Sequence, residues 1–193
     1  MPNTCIRQGK AQHHLRNPLN ELHRQSIYLL DSSYEPKSPK LKSLLAATGI
    51  ALVFIYVIGS GLWVNTGDNW YRSLNQPPWQ PPDFIFGIIW PYNFIVLGIA
   101  AVTIAQRAST TATLIYLGFF ALTVTFALTW AFQFYRPHNL QAASIALALT
   151  AILTLPMVVI AFRTSIPIGI ALLPYQAWVA IAANLSYTYS KLN

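Results

Sequence analysis

Five stretches of this chain run for more than twenty residues without a Lys, Arg, Asp or Glu, and that pattern leaves few folds open. They cover residues 44–64, 84–105, 112–134, 140–162 and 167–188. Each is long enough to cross a hydrocarbon layer of roughly 30 Å as a helix rising about 1.5 Å per residue. Barrel strands would alternate in polarity over about ten residues, whereas these runs are uniformly apolar. Helices also satisfy their own backbone hydrogen bonds in lipid. Composition agrees: 54% of the 193 residues are hydrophobic and 9% charged, against about 25% charged in a soluble domain. A chain this short still needs polar groups over its surface, so lipid must supply what is missing. The expectation is an all-α, integral multi-pass membrane protein. It is a five-helix transmembrane bundle, in a bacterial cell membrane or an organelle membrane.

Residues 1–43 are different. They hold Arg7, Lys10, Arg16, Arg24, Lys37, Lys40 and Lys42, with Pro18, Pro36 and Pro39 among their prolines and no apolar run long enough for a signal core. They read as a polar, basic, disordered tail, with an amphipathic targeting helix as the alternative; residues 44–193 form the membrane domain. The net charge of +7 does not point to nucleic acid, because no soluble basic face remains to hold a phosphate backbone. Cys5 is alone, which excludes an internal disulfide and a CxxC site. An odd number of spans puts the tail and the loop after the first helix on opposite faces. Lys37, Lys40, Lys42, Arg107 and Arg163 share the tail's face, which favours an inside N-terminus. Pro156, inside the fourth run, predicts a kink.

The first connection, 65–83, is long and rich in proline and aromatic residues. Pro77, Pro78, Pro81 and Pro82 fix φ repeatedly, so it is stiff and suited to act as a lid over the bundle. Its tryptophans, with Trp63, also fit an interfacial aromatic belt. Trp178 lies too deep for that belt. Its N–H needs a partner or a cavity, and Trp178, Ile181, Ala182 and Leu185 recur at helical spacing on one face. Both a ligand slot and ordinary close helix packing fit that face.

The motif Trp70-Tyr71, Leu74, Pro77, Trp79-x-Pro81-Pro82 and Trp90 resembles the tryptophan-rich sensory protein family, also called translocator protein or peripheral benzodiazepine receptor (TspO/MBR). Pro174-Tyr175-x-Ala177-Trp178 with Leu185, Tyr187 and Asn193 is similar to that family's fifth helix, and Trp130 with Phe134-Tyr135 to its third. Ala127 and Ser186 stand where the family usually has Asn, and Arg136 where Gly is common.

The resemblance implies a membrane receptor or carrier for tetrapyrroles (porphyrin, haem) and related apolar ligands such as sterols, in stress response or tetrapyrrole homeostasis. The alternative is light- and oxygen-dependent porphyrin degradation. No obligatory cofactor or metal is implied, porphyrin or haem being a ligand. The implied binding residues are Tyr71, Trp79, Trp90, Trp130, Trp178, Ile181 and Ala182, under a lid of Trp70, Pro77, Pro81 and Pro82. Leu185, Tyr187 and Lys191 fit a sterol motif. Gln176 and Asn184 are expected to bond neighbouring helices, and His138 to be a solvated loop residue. Besides lipid and these ligands, a homodimer is expected. Ala142, Ala143, Ala146 and Ala151, and Gly98, Ala101 and Ala105, offer surfaces for close helix contact.

Overall fold

The computed structural model describes residues 37–193. The expectations for residues 1–36 lie outside the described residues. Among the described residues there are five long helices: α1 (Pro39–Trp63), α3 (Asp83–Arg107), α4 (Thr110–Tyr135), α5 (Leu140–Thr164) and α6 (Ile166–Leu192). A short α2 (Asn69–Ser73) lies in the first connection. All five long helices have the length and apolar composition of membrane spans.

The helices outrun most of the apolar segments, and Ser38, Ser109 and Asn139 cap the starts of α1, α4 and α5 through their side chains. Ser38 accepts from the Leu41 N–H and Pro39 opens the first turn, so α1 starts within what reads as tail. Lys37 is not solvated either. Its ammonium donates to the Ala105 carbonyl and the Thr113 hydroxyl, where α3 ends and α4 begins. Desolvation, with repulsion from Lys42, holds its pKa below the usual lysine value. Prolines lie inside α3 (Pro91) and α6 (Pro174) as well as α5 (Pro156).

The helices close in a ring in the order α1, α3, α6, α5, α4. The core stripe of α3 is Asn93, Leu97, Ala100 and Ile104, all fully buried. Opposite faces carry large apolar residues outward, such as Phe54 and Ile58 of α1, which meet lipid rather than water. The small-residue surfaces of α3 and α5 are used inside this ring: Ala101, Ala105, Ala143 and Ala146 are buried between helices. Gln176 crosses from α6 to α5, donating to the Ala151 carbonyl at 3.0 Å and accepting from Thr154 at 2.6 Å. Asn184, by contrast, is exposed.

α1 meets α3 most closely at Gly49, where an added Cβ would lie 2.5 Å from the Ala101 Cβ. Neither atom can move without its helix, so Gly49→Ala should destabilise by about 1–3 kcal/mol. Gly118 has open space around it. Gly118→Ala should therefore be neutral or stabilising by up to about 1 kcal/mol through helix propensity. Thermal unfolding in one detergent compares the two; equal midpoints would contradict the close α1–α3 approach.

The ring places Ser109 and Gly67 on opposite membrane faces. On a Cys5→Ser background, Ser109→Cys and Gly67→Cys should label from opposite sides of sealed vesicles. Labelling of both from one side would remove the five-span topology.

Candidate functional site

A cavity of about 780 Å³ lies between the first connection and the bundle. α1 lines it with Val57, Ser60 and Gly61, and Val64 just past its end adds to them, residues small or slim enough to leave space. The first connection closes one side with Thr66, Gly67, Tyr71, Arg72 and Gln76. α3 adds Asp83, Phe86, Gly87, Trp90 and Phe94; α4 adds Trp130, Phe134 and Tyr135; α6 adds Trp178, Ala182, Leu185, Ser186 and Tyr189. α5 supplies none of its lining.

The aromatic walls hold one another in place. Tyr56 meets Trp90 and Phe94 edge-on, with centroids 6.1 and 5.2 Å apart. Phe86 stands edge-on to Trp178 at 5.1 Å. Trp130 packs against Phe134 and Tyr135 at 6.0 and 6.3 Å. Such pairs fix ring orientation before any ligand arrives. The indole N–H groups of Trp130 and Trp178 and the Ser186 hydroxyl are buried without a partner among the described residues.

Tyr71, Trp90, Trp130, Trp178 and Ala182 therefore come together around one space, as the sequence motifs lead one to expect. Trp79 and Ile181 do not. Trp79 is 44% exposed and Ile181 42%, and neither lines the cavity. Ile181 sits three residues after Trp178, on the flank of α6 that turns to lipid; Ala182, four residues after, turns inward. The lid also differs from expectation. Trp70, Pro77, Pro81 and Pro82 stay off the cavity, and its covering face is Thr66, Gly67, Tyr71 and Arg72 with Gln76. Pro82 instead caps α3, and Pro77 is buried. Trp70 stacks on His138 at 3.7 Å and meets Phe134 edge-on at 5.7 Å. His138, with φ 59°, is exposed in its loop, as expected, and one face of its ring is covered by Trp70.

The first connection is fastened to the end of α6. The Asn75 N–H donates to the Asn193 side-chain oxygen at 2.9 Å, and the Asn193 amide donates back to the Asn75 carbonyl at 3.3 Å. The Asn75 side chain donates to the Leu192 carbonyl at 3.2 Å, and the Tyr189 hydroxyl donates to Gln80. These partners are more than 100 residues apart, which no local motif could signal.

The sterol-motif residues do not share a surface. Leu185 is buried and faces the cavity, whereas Tyr187 is exposed, with the Lys191 ammonium 5.2 Å from its ring centre. A molecule on the outer face meets Tyr187 and Lys191 without Leu185.

Comparison with known proteins follows the same outline. The chain is similar to an uncharacterized membrane protein, YtaB, of Bacillus subtilis (strain 168). The two are 28% identical over 156 residues, covering 79% of this chain and 99% of that one. It is 24% identical over 148 residues to the tryptophan-rich sensory protein of Cereibacter sphaeroides, covering 74% of this chain and 92% of the relative. The translocator protein of Ovis aries is 28% identical over 147 residues, covering 75% and 83%. The family model for TspO/MBR matches residues 45–192, which takes in all five spans and every wall of the cavity. With that extent of match on a five-span bundle, the chain belongs to the TspO/MBR family.

Proposed function

We propose that this protein is a membrane receptor or carrier that binds tetrapyrroles such as porphyrin and haem, and related apolar ligands, in stress response or tetrapyrrole homeostasis. Family membership supports the coarser part, a receptor or sensor role in the membrane. The observation that carries the finer part is the cavity. Its volume of about 780 Å³ falls within the roughly 300–1,000 Å³ of small-molecule sites. Three tryptophans line it, and the indole N–H groups of Trp130 and Trp178 find no partner among the described residues. A flat conjugated ligand stacks on such walls. A sterol would use the same cavity, since Leu185 and Tyr187 face different ways.

Titration of the purified protein with protoporphyrin IX, haemin, biliverdin and cholesterol, read by tryptophan quenching, tests this reading. Saturable, mutually competitive quenching by a tetrapyrrole is expected. Linear, non-saturating quenching by all tetrapyrroles would refute it.

One observation favours the second reading, porphyrin breakdown driven by light and oxygen: Trp90, Trp130 and Trp178 border the same space, so oxidisable rings face any bound ligand. Product analysis after illumination, on wild type and a Trp90→Phe/Trp178→Phe double variant, separates breakdown from binding alone. The homodimer rests on family resemblance; a monomeric mass in nanodiscs and in several mild detergents would count against it.

A further inference from the structure

Asp83, Gly87, Trp90 and Phe94 form the stripe that α3 turns to the cavity. Gly87 differs from the other three in having only backbone to offer. A Cβ added at Gly87 would meet nothing within 4 Å, so no neighbouring group covers that stretch of main chain.

Pro91 lies inside α3, one turn after Gly87, and proline has no N–H. The Gly87 carbonyl therefore lacks the donor, four residues on, that an interior helical carbonyl otherwise receives. Pro156 and Pro174 free the carbonyls of Ile152 and Ile170 in the same way. Neither of those isoleucines lines the cavity, and both carry exposed side chains. Of the three freed carbonyls, that of Gly87 belongs to a residue of the cavity wall.

We propose that the Gly87 carbonyl is a hydrogen-bond acceptor for the ligand, and that it biases the cavity toward open-chain over closed-ring tetrapyrroles. The proposal rests on the tetrapyrrole reading above and adds a polar contact that sorts members of that class. Haem offers no N–H, because its iron takes all four pyrrole nitrogens. In a free-base porphyrin the N–H groups point into the centre of a closed ring, away from any wall. An open-chain tetrapyrrole has pyrrole and lactam N–H groups along an unclosed inner edge, which a backbone oxygen can approach. The missing side chain at Gly87 allows that close approach to the main chain.

Pro91→Ala tests this, because it restores an N–H to occupy the Gly87 carbonyl at a residue that does not itself line the cavity. Wild type and variant are titrated with biliverdin and with haemin, read by tryptophan quenching. Biliverdin should bind the variant roughly two- to twelvefold more weakly, the worth of one hydrogen bond, while haemin affinity stays unchanged. Haemin controls for any change in the shape of α3. In wild type with isotope-labelled glycine carbonyls, the Gly87 resonance, assigned by its loss in Gly87→Ala, should move downfield with biliverdin and stay in place with haemin. Equal losses of affinity for both ligands, no loss for either, or an unmoved Gly87 resonance with biliverdin bound would overturn the proposal and leave tetrapyrrole binding standing. Failure of both ligands to saturate wild type would overturn the binding reading and this proposal with it.

Discussion

Trp178→Ala should weaken protoporphyrin binding by more than about twelvefold. Losing an aromatic contact costs roughly 0.5–1.5 kcal/mol beyond area effects, or about two- to twelvefold in affinity. Trp178 also presents buried apolar surface to the cavity, with Phe86 held edge-on against it. Ala182→Phe should be as damaging for the opposite reason. It adds a ring to the wall one turn from Trp178, filling space instead of removing a contact. Trp63→Ala serves as the control, because Trp63 packs on Phe132 at 5.6 Å and does not line the cavity. Quenching titrations on all three decide the matter. If Ala182→Phe binds as tightly as wild type while Trp63→Ala loses binding, the ligand sits against the outer belt.

Cutting the fastening of the first connection should act on rates. An Asn193→Ala/Gln80→Ala double variant removes both Asn193 bonds to Asn75 and the Tyr189–Gln80 bond. At the low end of about 0.5 kcal/mol for each bond, the closed loop loses about 1.5 kcal/mol, or roughly tenfold in its opening equilibrium. Ligand dissociation measured by stopped-flow displacement should quicken by about that factor, with faster amide exchange at Thr66–Arg72. Dissociation and exchange both at wild-type rates would show that the bonds do not hold the loop.

Helix number and type were legible because lipid imposes a composition no other surface does. Helix ends were less so. An uncharged run marks the depth of hydrocarbon, whereas a helix continues to its cap; Pro39 and Leu192 therefore lie outside the apolar segments and inside helices. The cavity tryptophans were legible from a spaced motif. Which flank of α6 turned inward was not, because core and lipid are both apolar and Ile181 satisfies either. The aromatic and proline richness of the first connection identified a lid, but not its face. Trp79 turns outward and Pro82 caps a helix, while less conspicuous residues, Thr66, Gly67 and Gln76, meet the cavity. Asn93 attracted no notice in sequence, since one amide hardly alters the apolarity of its segment.

α5 touches both helices that carry Trp130 and Trp178 and contributes nothing to the space those rings enclose. It is a buttress, and this divides the chain into positions that choose a ligand and positions that only keep the walls upright. Sequence drift along α5 can proceed under selection for rigidity alone, leaving ligand choice to the other helices and the loop. For an engineer, α5 is where thermal tolerance can be raised without retuning what the cavity accepts.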